Sequence, residues 1–511
     1  MKVNNTFYIV NKSDQVKKLN SNYTKRRHYR LKTKHQFMLL LIILLFNCKN
    51  NHNATTSDIN KIKENQKKHQ PLIDSLMKVS YKRGVFNGNI LVAKSNKIIY
   101  QNEFGYTDAS KEKHLNRNSI FNIGSIGKEF NAVAIMILKE RGLLHLEDKL
   151  SKFDLQLPNW SNKVTIKHLL QYSSGLPKVK WNSVKNDKDI YTDIKNIDLL
   201  IFEPGSDYLY SNNNIFLQRR IVEKISGMSF NNFIQENILI PSNMSDAIID
   251  ATSKNAQLVT SFNNDLVNDS FGDIEFSGWV FPSISDIFNW VNSLHSGKII
   301  SEESLLLLFD SFSKNSESAL GKGVFKNNEL MVYQHQGSSF NYESLIHYNL
   351  KEDVMVILMT NNKNLKLRNI AEAIENITKG SAFKIPQKSV YLSIRQKCYN
   401  NVDDGIEYYK QLKKNYPNTY NFSEESELNR LGYKLIEKNQ IEDAVKIFAL
   451  LVSEFPNLAN AFDSLAEGYF LNNQLDLSKI NYQKSLNLNP KNKNAESMII
   501  KIEKELKTIL P

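Results

Sequence analysis

Strand-like stretches lie at both ends of one region of this chain, with helical patterns between them. Gly88–Ala93 and Lys97–Phe104 are joined by the turn pair Ser95-Asn96, and Met331–Gln334, Ser344–Tyr348 and Val354–Met359 follow only after a long helical interval. Short apolar or alternating runs bounded by turn residues read as strands; apolar residues three and four apart read as one helix face. A sheet fed from both ends of a region must bring those ends together. Its apolar faces are then covered by the intervening helices, because each element hides its apolar side only against another. The expected fold class for residues 71–380 is therefore α+β, an antiparallel β-sheet flanked by helices, with edge strands from the two termini. The helices expected are Leu72–Val79, Ser125–Leu144 closed by Gly142, Thr165–Leu170, Asn214–Ile225 ended by Gly227, and Ser285–Leu294 capped by Ser283 or Ser285.

From about Lys388 the pattern is helical throughout. Gln440 and Gln474 open matching segments, as do Pro456 and Pro490, an offset of 34 residues. At that offset Leu431 meets Leu465, Gly432 meets Ala466, Leu435 meets Tyr469, Ala444 meets Ser478 and Phe448 meets Tyr482. A poorer earlier copy runs from Asp403 to Pro417. Small residues at fixed places let paired helices approach closely, and the period resembles the tetratricopeptide repeat. Residues 388–511 are thus expected to be an all-α helical repeat domain, able to bind a protein partner in its concave groove.

The formal net charge of +13 would suggest a nucleic-acid partner until it is located. Residues 1–37 hold ten Lys/Arg and one acid, which leaves 56 basic and 52 acidic residues for the rest. The basicity belongs to a leader, so no nucleic acid is implied. Phe37–Phe46 is an unbroken apolar run, too short to span a bilayer but suited to a signal-peptide core. Leu45-Phe46-Asn47-Cys48 resembles the lipobox of bacterial lipoproteins, although Phe46 and Asn47 are larger than the usual small residues. Residues 1–48 are therefore expected to be a basic leader and signal peptide that exports the protein to the bacterial cell envelope. A lipid on Cys48 would anchor it to the membrane, facing the periplasm or cell surface. Residues 49–70 read as a polar tether. Cys398 is the one other cysteine, so with Cys48 lipidated or removed no intrachain disulfide forms.

Ser125-Ile126-Gly127-Lys128 sits where the strand-like Ile120–Gly124 gives way to a helical pattern. Residues three apart share a helix face, so the amine can reach the hydroxyl. A serine nucleophile needs such a base nearby. The spacing alone is common, since Ser75, Ser110, Ser311 and Ser381 share it. What distinguishes Ser125 is the order of the motifs downstream of it. Tyr210-Ser211-Asn212 comes after the turn-rich Glu203-Pro204-Gly205, and His335-Gln336-Gly337-Ser338 comes at the end of a strand. Tyr399-Asn400-Asn401 and His295-Ser296-Gly297 mimic the second and third motifs. Tyr399 falls outside the sheet region, however, and Gly297 is accounted for as a helix cap.

Ser-x-x-Lys, Tyr-x-Asn and His-x-Gly in that order resemble the class C β-lactamases, the serine DD-peptidases and the esterases of the same superfamily. Phe121–Gly124 before the serine and Leu169-Leu170 with Ser173-Ser174-Gly175-Leu176-Pro177 extend the likeness over about residues 75–378. Two positions depart from it. Gly127 stands where Ser or Thr is common, and His335 stands where β-lactamases carry lysine, which favours the peptidases and esterases. The resemblance implies an exported serine hydrolase acting through an acyl-enzyme on an amide or ester, with a small-molecule or peptidoglycan-type acyl substrate and no cofactor or metal. Ser125 would be the nucleophile and Lys128 its base. Tyr210 would carry the proton to the leaving group. Asn212 would bind the substrate amide and hold Lys128, and His335 would orient Tyr210 or bind a substrate carboxylate. Gly337 would let substrate approach the strand, and the backbone N–H groups of Ser125 and Ser338 would form the oxyanion hole. The competing expectation is an envelope interaction protein, in which the repeats bind partners and the hydrolase domain is an inactive scaffold.

Overall fold

The computed structural model describes residues 56–270 and 277–509. The leader, its lipobox with Cys48 and the first part of the tether lie outside the described residues. The chain divides between Lys67 and Lys68 into two units, and the second holds both the sheet and the C-terminal helices. Helix α1 spans Thr56–Lys82 and contains Pro71. The tether is thus helical from Thr56, and the helix expected at Leu72 starts earlier. Lys, Glu and Gln dominate this stretch; they are good helix formers even without a strong apolar stripe.

Strands β1 (Gly88–Lys94) and β2 (Lys97–Phe104) form a hairpin whose turn residues Ser95 and Asn96 both have φ near +50. Helices α2 (Lys128–Glu140), α3 (Asn212–Ser226) and α4 (Ile284–His295) are the longest in the middle of the region, which also holds shorter ones such as Ile166–Leu170, capped by Thr165 as expected. Two short strands, β3 (Ile248–Ile249) and β4 (Val280–Phe281), pair with each other. Then come β5 (Lys322–Lys326), β6 (Glu329–Ser339), β7 (Tyr342–Asn349), β8 (Val354–Thr360) and helix α5 (Leu367–Lys379). The main sheet is antiparallel with order β2-β1-β8-β7-β6-β5, so its edges do come from the two ends of the region.

Period-two alternation sends β1 and β8 side chains into two cores. Leu91, Ala93, Met355, Ile357 and Met359 join the core containing α2 and α4. Ile90, Val92, Val354, Val356 and Leu358 join the one containing α1 and α5. Strand β5 was not foreseen. Its Lys-Gly-Val-Phe-Lys sequence is mostly exposed, as suits an edge that must not pair further. Strand β6 also runs on to Ser339, so His335–Ser338 lies inside the strand and not at its end.

After α5 the chain is helical: α6 (Val390–Asn400), α7 (Val402–Asn415), α8 (Ser426–Glu437), α9 (Ile441–Glu454), α10 (Ala459–Leu471), α11 (Leu475–Leu488) and α12 (Lys493–Ile509). The small residues of the 34-residue offset sit at helix contacts. A β-carbon on Gly432 would collide with the Phe448 ring, and Ser478 Oγ donates to the Ala466 carbonyl at 2.8 Å. This helical part is tied to the sheet region by Lys366, which is only 4% exposed and donates to Glu427 Oε1 at 2.7 Å. Glu427 also accepts the Tyr391 amide at 2.9 Å. Among the described residues, no helix is long and apolar enough to cross a membrane.

Candidate active site

Gly124–Gly127 is a single 3₁₀ turn feeding α2, so Ser125 sits one tight turn before the α-helix proper. Gly124 has φ +56, a conformation that favours glycine, and its amide donates to Asn122 Oδ1 at 2.9 Å. This turn lies against β6 beyond the stretch covered by β5, whose Lys322 pairs with Gln334. The contact is backbone to backbone. A β-carbon on Gly337 would strike the Ile123 carbonyl and come within 2.9 Å of the Ser125 nitrogen, and one on Gly124 would strike the Ser338 amide. The N–H-bearing nitrogens of Ser125 and Ser338 are thereby drawn to one junction.

Ser125 Oγ accepts a hydrogen bond from Lys128 Nζ at 3.1 Å and another from the Tyr210 hydroxyl at 2.9 Å. Lys128 is buried, and its ammonium lies 5.0 Å from the Tyr210 ring centre and 5.8 Å from that of Trp279. Burial and the nearby Arg219 charge bring its pKa down to about 8, against an opposing pull from Glu317. Burial pushes the Tyr210 hydroxyl above its ordinary 10. As pH rises toward about 8 the amine turns neutral and can accept a proton from Ser125, whereas the phenol stays protonated and donates.

Tyr210 is held by the Ser173–Pro177 turn. The Leu209 amide donates to the Tyr172 carbonyl at 2.9 Å, and the Tyr172 and Tyr210 rings lie tilted against each other with centres 4.7 Å apart. Ser211 caps α3 and donates to the Pro177 carbonyl at 2.6 Å, while Ser174 Oγ donates to Asn214 Oδ1 at 2.6 Å.

Two of the expected contacts are not made. Asn212 opens α3, but its buried Oδ1 has no hydrogen-bond partner among the described residues, so it does not hold Lys128. His335 does not orient Tyr210. Its ring is buried, and Nδ1 lies 2.6 Å from Glu129 Oε1. The period-two alternation of β6 explains this, since Tyr333 and His335 point to the same α2 face. Glu129 is fully buried and also accepts hydrogen bonds from Trp290 Nε1 at 2.8 Å and from the Tyr333 hydroxyl. The decoys lie elsewhere: Tyr399 is in α6, and His295 ends α4 with Gly297 at φ +71.

Sequence reasoning missed Glu129, Arg219, Trp279 and Glu317. Arg219 donates through Nε to Asn131 Oδ1 at 2.8 Å and through a terminal nitrogen to the Gly278 carbonyl at 3.2 Å. Its guanidinium lies 4.9 Å from the Trp279 ring centre. At Gly127 a β-carbon would meet Trp279 at 3.5 Å, an ordinary contact. Only the adjacency of Glu129 to Lys128 was visible in the sequence, and an acid in a first helical turn usually marks the helix dipole.

A profile of the family described as Beta-lactamase matches residues 70–376. The chain is 27% identical over 363 residues to "Penicillin-binding protein 4*" of Bacillus subtilis, covering 64% of this chain and 79% of that protein. It is 26% identical over 326 residues to "Protein flp" of Staphylococcus aureus, covering 57% of this chain and 63% of that one, which is less than two thirds of that relative's length. Among solved structures, a penicillin binding protein from Bacillus halodurans superposes with TM-score 0.52 at 19% identity, over 60% of this chain and 98% of that one.

Proposed function

Because the chain belongs to the Beta-lactamase family, we propose that it is a serine hydrolase acting through an acyl-enzyme on an amide or ester bond. The observation that carries this reading is the convergence of Lys128 Nζ and the Tyr210 hydroxyl on Ser125 Oγ. In the proposed cycle, neutral Lys128 takes the Ser125 proton as Oγ attacks the carbonyl carbon. The Ser125 and Ser338 N–H groups stabilise the resulting oxyanion. Tyr210, with its proton replenished through Lys128, protonates the departing amine or alcohol. In the second half a water adds to the acyl carbon, giving up its proton to the same pair, and Ser125 Oγ leaves protonated.

The description of one relative as a penicillin-binding protein supports a DD-carboxypeptidase or endopeptidase-like branch on a peptidoglycan-type substrate. The esterase branch shares the same chemistry. Export to the cell envelope, lipidation at Cys48 and partner binding by tetratricopeptide-like repeats in residues 388–511 belong to the same proposal. The rival reading, an inactive scaffold whose repeats bind partners, leaves unexplained why a buried lysine is kept within bonding reach of a serine hydroxyl.

The test is labelling by a fluorescent penicillin, together with turnover of a p-nitrophenyl ester, by wild type and Ser125→Ala. Labelling lost in the variant supports the peptidase branch, and ester turnover alone lost in the variant supports the esterase branch. Absence of any serine-dependent signal, with partner capture by the full chain, supports the scaffold.

A further inference from the structure

Segment 316–321 touches β6 at one end and Tyr208 at the other. Ser318 Oγ donates to the Gly321 carbonyl at 2.9 Å, closing the segment into a tight turn. Gly321 sits so close to β6 that a β-carbon there would come within 2.7 Å of the Gln334 carbonyl and 2.9 Å of His335 Cβ. At the other end the Glu317 amide donates to the Tyr208 hydroxyl at 3.4 Å. The Tyr208 ring is 6.2 Å from Tyr172, whose ring lies tilted against Tyr210 at 4.7 Å. Glu317 is thus pinned next to the three phenols that lead to Ser125.

Its neighbours on the turn, Ser316, Ser318, Ala319 and Leu320, are buried, while Glu317 itself stays partly open to solvent. Its carboxylate has no hydrogen bond or ion pair among the described residues. Its charge nonetheless acts on Lys128, Tyr210, Tyr172 and Tyr208. Arg219, the other cation near Lys128, is faced by Asp187, Asp250 and Glu223. When Lys128 turns neutral to act as base, the Glu317 carboxylate is left without an ion-pair partner among the described residues. Phenol rings attract cations by their faces as well.

Resting on the serine hydrolase reading, we propose that Glu317, with the half-buried Tyr208, forms a cation-accepting subsite, and that the preferred substrates carry an ammonium group. A carboxylate-bearing substrate is disfavoured there by like charge.

The test uses isosteric pairs that differ only in charge. The p-nitrophenyl ester of trimethylglycine is compared with that of 3,3-dimethylbutyrate, which places the cation on the acyl side. Acetylthiocholine is compared with S-(3,3-dimethylbutyl) thioacetate, which places it on the leaving group. In at least one pair kcat/KM is higher for the cation. In Glu317→Gln that cation-to-neutral ratio falls ~tenfold, the loss of one charged contact. Taking the ratio within each variant cancels any effect of Glu317 on Lys128. Ratios that are the same in wild type and Glu317→Gln overturn the subsite. In parallel, calorimetric binding of trimethylglycine ethylamide and N-ethyl-3,3-dimethylbutyramide to Ser125→Ala, with and without Glu317→Gln, reads the same preference without chemistry. Ester turnover that survives Ser125→Ala would refute the hydrolase reading while this binding arm still decides the subsite.

Discussion

Gly337 faces the Ile123 carbonyl across a gap with no room for a β-carbon. The strand bearing the third motif and the turn bearing the nucleophile are therefore held in register by two backbones, neither of which can rotate out of the way. Gly337→Ala should leave the sheet folded, as read by far-UV circular dichroism, while pushing β6 off the serine turn. A displacement of about 1 Å costs on the order of 100-fold in rate, so kcat/KM on a p-nitrophenyl ester should fall by about that factor. An alanine variant with wild-type kinetics would remove Ser338 from the oxyanion role.

Acylation needs Lys128 neutral, and its pKa is drawn down to about 8 by burial and by Arg219. The rate should then rise with pH through an apparent midpoint near that value and level off before Tyr210 ionises. Glu317 pulls the lysine the other way, so Glu317→Gln should move the midpoint to lower pH, and Arg219→Gln should move it higher. A profile of kcat/KM that is flat between about pH 6 and 10 would exclude Lys128 as the base.

The same depression has a cost in stability. A lysine with an ordinary value of 10.5 and a folded value of about 8 binds its proton more tightly when unfolded. Stability from this group therefore rises as pH climbs from 8 to 10.5, and below 8 the full penalty, ~3 kcal/mol, is in force. Lys128→Met should raise Tm at pH 7 while abolishing turnover, and the gain should shrink as the melt is repeated toward pH 10. Scanning calorimetry across that range measures both.

Glu129 gathers Trp290 Nε1, the Tyr333 hydroxyl and His335 Nδ1 onto one buried carboxylate. Glu129→Ala leaves those groups without their acceptor in a site closed to water. The expected loss is ~3–5 kcal/mol, seen as a lower urea midpoint. Glu129→Gln, which keeps an acceptor oxygen, should lose less.

The parts of this molecule that were legible in its sequence are the local ones. Ser95-Asn96 announced a hairpin because two residues at positive φ suffice to reverse a chain, and Ser125 with Lys128 followed from helical spacing together with the order of the motifs downstream. Tyr210 and His335 could be placed on the right elements by the turn and strand residues around them. Their partners could not be foreseen. Whether His335 meets Tyr210 or Glu129 depends on which β6 face packs against α2, and that is settled by a contact spanning much of the chain. Arg219 and Glu317 escaped for the same reason: charged residues read as surface until their surroundings close over them. Strand β5 escaped because exposed edge strands carry no apolar signature.

Lys366 spends its charge on Glu427, out of reach of water. Any shortened version of this protein that ends before α8 would take away the carboxylates that Lys366 meets and bare the surface they cover. A truncated form that proves insoluble or inert would therefore report on that unpaired lysine before it reported on Ser125.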